Sequence, residues 1–177
     1  MSFASFRGLM PTRRFRPSPL LAILFLILPI AALSLSCTEQ QQMELTLALG
    51  INQIRTDAGL PPLTVDPALS AIALARAEDM ATNNYFDHMP PNGCDAKCMM
   101  IQAGMSVGWT GEVLAWNDYP VEASAGVTIS LWRDSPDHYS VITNKCFVRM
   151  GTGAAIASNG KIYYAAVFEG WPPGCNP

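Results

Sequence analysis

The C-terminal part of the chain imposes the strongest constraint on the fold, because two strand-like runs are joined there by a tight turn. The runs cover residues 147–157 and 161–168, and Asn159-Gly160 between them is typical of a β-hairpin turn. The hairpin predicts an antiparallel sheet that is completed late in the chain.

The five cysteines support this arrangement. Cys146 precedes the first run and Cys175 follows the second, so the hairpin would bring them together as a disulfide bond. Cys94 and Cys98 are then expected to pair locally, which leaves Cys37 as the odd cysteine. A metal site formed by His88 with Cys94 and Cys98 is the alternative, although exported thiols usually oxidise.

Helical patterns dominate the region before the hairpin. An apolar stripe predicts a first helix from residue 44 to an αL cap at Gly59, and Asp66-Pro67 starts an alanine-rich helix that runs to about Asn84. Two more helices are predicted at 96–103 and 121–134, with a strand-like stretch at 111–116 between them. Early helices and a late sheet favour an α+β fold of packed layers.

The N-terminus has the pattern of an export signal over residues 1–36. Four arginines precede an apolar run from Leu20 to Leu35, which is short for a membrane span and contains Pro29. Cys37 follows small residues directly, as in lipoprotein cleavage boxes, so lipidation of Cys37 is predicted; an ordinary cleaved signal is the alternative. Residues 37–44 are then expected to be a polar spacer.

The charge balance excludes one class of partner. The formal net charge is -3, and no basic excess is available for nucleic acid. We therefore expect no nucleic-acid partner. The signal-like N-terminus predicts an extracytoplasmic protein, either secreted or anchored in a membrane through its lipid, and we expect it to be a monomer.

Several motifs together resemble the CAP superfamily, also called the SCP domain, in its bacterial branch. Their order and spacing carry the resemblance, which covers residues 45–171 and leaves 172–177 as a tail. The resemblance implies a three-layer α-β-α sandwich with a central antiparallel sheet and an open cleft. The motifs are Asn52-Gln53-Ile54-Arg55 with Gly59-Leu60-Pro61-Pro62-Leu63, Tyr85-Phe86-Asp87-His88, Gly111-Glu112, and Trp132 with Ser135-Pro136-Asp137-His138.

In that superfamily two histidines and two glutamates line the cleft, and three of these positions carry over as His88, Glu112 and His138. The chain has only two histidines, and both fall on the motifs. The fourth acid is not identifiable, with Asp134 as a candidate. Val113 replaces the asparagine that usually follows Gly-Glu, so a less polar cleft is expected.

Two imidazoles and a carboxylate can hold a divalent cation, most simply zinc with His88 and His138 as ligands. Two other interpretations remain open: the three side chains hold each other in place, or they contact a ligand without metal. Ser135 is expected to cap a helix whose first turn carries His138, which would keep that imidazole neutral.

A binding module is the favoured function, with a cell-envelope component or a small hydrophobic ligand such as a lipid in the cleft. Members of the superfamily have been linked to lipid and sterol binding. The alternatives are a metal-dependent hydrolase with Glu112 as general base, and a purely adhesive surface module. No independent nucleophile signature is visible. The aromatic residues available near the cleft are Tyr85, Phe86, Trp109, Trp116 and Tyr119.

Overall fold

The structure is a computed structural model, and it describes residues 39–170 and Cys175. The predicted signal peptide, the lipidation of Cys37 and the rest of the C-terminal tail lie outside the described residues. Within the described part of the chain, no helix combines the length and the apolar character needed to cross a bilayer.

The first helix, α1, covers residues 39–57 and starts earlier than the sequence predicts. Residues 39–44, predicted as part of a polar spacer, are helical here. Met43 extends the apolar stripe of Leu47 and Ile51 by one turn, and its side chain is buried like theirs. The burial of this methionine explains why the helix continues into a segment rich in glutamine.

Helix α2, Pro67–Asn83, confirms the alanine-rich prediction within one residue. Asp66 is its N-cap, and its side chain accepts hydrogen bonds from the backbone N–H groups of Ala68 and Leu69. The helix backbone lies almost directly on the sheet. A Cβ atom added at Gly151 would lie 2.0 Å from the carbonyl carbon of Leu69, so small residues are required at this contact.

The remaining elements are β1 Thr64–Val65, α3 Ala96–Gln102, β2 Trp109–Asn117, α4 Val121–Asp134, α5 Pro136–Ile142, β3 Arg149–Ile156 and β4 Ile162–Gly170. The strands form a four-stranded sheet with the order β1-β3-β4-β2. β4 pairs antiparallel with β2 and β3, as predicted, and Gly160 adopts a positive φ of 85° in the turn. β1 adds one short parallel pairing with β3, so the sheet is mixed at that edge.

Helices cover both faces of this sheet, which confirms the three-layer α-β-α sandwich. One buried cluster joins α1 and α4 to the face that carries Val113 and Phe168. The other cluster joins α2 and α3 to the opposite face, through Leu114 and Val167. Neighbouring residues of β2 therefore face different layers, as the pleat of a strand requires.

Both predicted disulfide bonds are present, Cys94–Cys98 and Cys146–Cys175. Cys146 lies just before β3 and Cys175 lies beyond β4, so the hairpin argument predicted the correct pair. The alternative metal site with His88, Cys94 and Cys98 is wrong, because the two sulfur atoms are bonded to each other.

Candidate functional site

The predicted site residues meet at the free edge of the sheet. Glu112 lies on the edge strand β2, His88 lies in the loop after α2, and His138 lies in α5, which packs against β2. His88 Nδ1 donates to Glu112 Oε2 at 2.8 Å. A carboxylate only accepts hydrogen bonds, so Nδ1 must carry the proton.

His138 lies close enough to this pair to interact with it electrostatically. Burial lowers the pKa of His138, and the charge of His88 lowers it further. The backbone of Leu114, two residues after Glu112 on the same strand, opposes this shift and acts to raise the pKa of His138. The structure thus brings the three predicted residues into one region.

His88 is in the opposite electrostatic situation. The hydrogen bond to Glu112 raises its pKa above the usual value, burial works against this shift, and the charge of Glu112 adds to it. The side chain of His88 is 63% exposed, whereas that of Glu112 is only 9% exposed. The imidazole is therefore held from the protein side and open on its solvent side.

Arg76 of α2 completes the site, and the sequence interpretation missed it. Its side chain is 1% exposed, and Nε donates to Glu112 Oε1 at 2.9 Å. Arg76 lies on the buried stripe of α2, between Ile72 and Met80. A charged residue at a position whose spacing predicts burial was the signal that could have revealed it.

Further partners hold Arg76 in place. Its Nη1 donates to the hydroxyl of Tyr85 at 2.7 Å, and that hydroxyl donates to the carboxylate of Asp79. Burial and the hydrogen bond to Asp79 raise the pKa of Tyr85 to about 12. Burial works to lower the pKa of Arg76, but its hydrogen bond with Glu112 and the charge of Glu112 outweigh burial and raise it.

Ser135 differs from its predicted role. It is the N-cap of α5 by position, but its side chain makes no capping hydrogen bond. Its hydroxyl oxygen instead lies 2.8 Å from His138 Nδ1. The low pKa of His138, expected from the helix terminus, arises from burial and from His88.

Two other sequence expectations change at this site. Val113 is 1% exposed and packs in the core between the sheet, α1 and α4, on the face opposite to Glu112. The residue that replaces the usual asparagine therefore does not make the cleft less polar. Asp134 is exposed at the end of α4, and within residues 39–170 no hydrogen bond or ion pair joins it to either histidine.

A cavity of about 210 Å³ adjoins the pair of His88 and Glu112. Gly111 lines it beside Glu112, and a Cβ atom at Gly111 would lie 2.7 Å from the ring of Phe147. Of the five aromatic residues considered, Phe86, Trp116 and Tyr119 are exposed, by 47%, 41% and 52%, but the described residues that line this cavity include none of the five. The other lining residues are Asp95, Ala96, Lys97, Met100 and Thr110.

Glu112 is not placed to bind a divalent cation itself. Both of its oxygens accept hydrogen bonds from protein groups, and one of these groups is a guanidinium. In the described part of the chain, no group of three or more histidine, cysteine, aspartate or glutamate side chains is placed to hold an ion. Zinc binding by His88 and His138 stays a prediction, because the contact with Glu112 uses Nδ1 of His88 and not its Nε2.

Comparisons with known proteins agree with this fold. The model of the cysteine-rich secretory protein family, CAP, matches residues 50–168. The uncharacterized protein YkwD of Bacillus subtilis (strain 168) is 34% identical over 120 residues, which are 68% of this chain and 43% of that protein.

Two solved structures share the architecture. An extracellular SCP-domain protein from Bacillus anthracis str. Ames has a TM-score of 0.60 at 24% identity, over 76% of this chain and 41% of that one. An outer surface protein from Borrelia burgdorferi has a TM-score of 0.64 at 18% identity, over 74% of this chain and 94% of that one. The match thus spans less than half of the two Bacillus proteins. Because the family match covers more than half of the chain and the fold agrees, this chain belongs to the cysteine-rich secretory protein family, CAP.

Proposed function

We propose that this domain is an extracytoplasmic binding module whose ligand contacts the cleft of His88, Glu112 and His138 without a metal ion. One observation carries the proposal: both oxygens of Glu112 are used within the protein, while the imidazole of His88 is 63% exposed. The cleft therefore offers a fixed imidazole whose Nε2 is free of the contact with Glu112. Such a group suits recognition of a ligand.

The chemistry around His88 supports a ligand with an apolar body. Phe86 is 47% exposed and Met89 is 54% exposed, and both flank His88 in the same loop. Aromatic side chains bind apolar groups with little loss of conformational freedom, and a flexible thioether adapts its shape to an apolar ligand. A small hydrophobic molecule, such as a lipid with one polar group that reaches His88, fits this surface.

Export and membrane attachment are part of the proposal. The signal-like residues 1–36 and the odd cysteine, Cys37, support a protein that is lipid-anchored outside the cytoplasm. Two proteins of similar fold, an extracellular protein and an outer surface protein, agree with this location.

The ligand-binding proposal predicts that substitutions beside His88 reduce the amount of bound lipid. Lipid extracted from the purified full-length protein should be detected by mass spectrometry, and Phe86→Ser with Met89→Ser should reduce the bound amount at least about tenfold, a loss of roughly 1.4 kcal/mol. Leu45→Ser is the control, since Leu45 is 52% exposed on α1 in another layer. A wild-type protein without lipid, or an equal loss in the control, would refute the proposal.

Metal-dependent hydrolysis receives less support. A general base needs a carboxylate oxygen that can reach the water it activates, and both oxygens of Glu112 are engaged. The contact of Ser135 with a neutral imidazole is an arrangement that nucleophiles use, but a serine at a helix N-cap adopts it for local reasons.

A further inference from the structure

Arg76 is a buried cation at the centre of the cleft wall. Its guanidinium donates to Glu112 Oε1, to the hydroxyl of Tyr85, and to the carbonyl oxygens of Asp87 at 2.8 Å and His88 at 3.0 Å. A buried arginine with this many partners is held in a single orientation.

These bonds connect three separate parts of the site. Arg76 lies on α2, Glu112 lies on β2, and the two carbonyl groups belong to the loop that carries His88. The same guanidinium therefore orients the carboxylate and fixes the backbone of the imidazole that the carboxylate contacts. Neither half of the pair of His88 and Glu112 is positioned independently of Arg76.

We propose that Arg76 is the permanent cation of this cleft and its positioning residue, which holds both the carboxylate of Glu112 and the loop of His88 in place. A second cation on Glu112 would have to approach a carboxylate that already pairs with a guanidinium 2.9 Å away, so Glu112 orients His88 and is not itself a ligand for a cation. The planar guanidinium group of arginine also donates directional hydrogen bonds to the carbonyl groups of the loop.

The inference deepens the proposed metal-independent binding and rests on it, but its test needs no ligand. The test monitors the two imidazoles by nuclear magnetic resonance of the full-length protein in detergent, where a chain with two histidines gives two assignable sets of signals. Two-bond proton–nitrogen correlations distinguish the two neutral tautomers of each ring.

In the wild-type protein His88 should be in the Nδ1–H tautomer above its pKa. Arg76→Met should abolish the tautomer preference, whereas Arg76→Lys, which keeps a positive charge, should retain part of it. Arg133→Met is the matched control, because Arg133 is 47% exposed and pairs only with Asp57 among the described residues.

A second variant separates positioning from general loss of stability. If Arg76 serves to neutralise and orient Glu112, then Glu112→Gln should restore part of the melting temperature that Arg76→Met loses. The proposal is overturned if Arg76→Met keeps the Nδ1–H tautomer. Should Arg76→Met not fold, Arg76→Lys still decides, and an Arg76→Lys protein whose His88 tautomer matches Arg133→Met would overturn orientation by the planar guanidinium group.

Discussion

His88 and His138 share one cleft but are biased toward different protonation states. Around His88, Glu112 and Asp87 favour the imidazolium, while Arg76 opposes it. Around His138, burial and the charge of His88 favour the neutral ring, and Asp137 opposes them. At a pH between the two pKa values, the site therefore holds one protonated and one neutral histidine.

This difference predicts two separate titrations. In the proton spectrum, the midpoint of His88 should lie above 6.5 and that of His138 below 6.5. Glu112→Gln should lower the midpoint of His88, because it removes the acceptor's charge. A common midpoint for both rings would contradict the assignment.

The contributions to the free energy of unfolding have opposite signs. His88, whose folded pKa is raised, stabilises the protein fully below the unfolded pKa of 6.5, and this contribution is lost as the pH rises through the folded pKa. His138, whose folded pKa is lowered, favours the folded state above 6.5, and this contribution is lost as the pH falls through the folded pKa. The contribution of His88 should be small, since solvent screens its exposed side chain.

Among the secondary-structure elements, the contact of α2 with β3 controls the geometry of the cleft. A Cβ atom at Gly153 would lie 2.2 Å from the backbone nitrogen of Leu74, so a side chain there must displace the helix. Because α2 carries Arg76, that displacement would also disturb the carboxylate of Glu112.

Gly153→Ala should therefore lower the free energy of unfolding by about 1–3 kcal/mol, as overpacking typically does. Gly126→Ala in α4 is the control, because a Cβ atom there meets nothing within 4 Å. This variant should be stabilised by about 0.5–1 kcal/mol through helix propensity. Urea unfolding measures both, and an unchanged midpoint for Gly153→Ala would show that the helix can move at little cost.

The elements were largely predictable from sequence because their end signals are local. Asp66-Pro67 started α2 correctly, the predicted bounds of α4 match the observed ones, and Asn159-Gly160 located the hairpin turn. The start of α1 was wrong, since the burial of Met43 depends on the sheet and on α4 and is not visible in a glutamine-rich segment.

The site was predictable only in part. His88, Glu112 and His138 were found through their motifs, but the ion pair of Arg76 and Glu112 joins residues 36 positions apart. No local pattern encodes which buried charge meets which partner. The contact of the Ser135 side chain with His138 is local, but the motif does not show whether the hydroxyl bonds to the helix backbone or to the imidazole.

At the scale of the whole molecule, the proposed attachment to a membrane would depend on Cys37. If Cys37 carries the lipid, Cys37→Ser should move the protein from the membrane fraction to the soluble fraction, because the substitution removes the proposed anchor. Thr38→Ala, which changes the adjacent residue and keeps the thiol, should stay with the membrane. Fractionation followed by immunoblotting measures this, and a Cys37→Ser protein that still sediments with membranes would rule out the lipid anchor.

The helical start at residue 39 has a consequence for how far such an anchored protein can reach. One residue spans at most about 3.5 Å, so a lipid on Cys37 would hold the domain very close to the membrane surface. The domain would then meet mainly molecules that diffuse within the membrane or along its surface. Its effective concentration toward those molecules would be high, whereas partners in solution would bind only after they diffuse to the membrane surface.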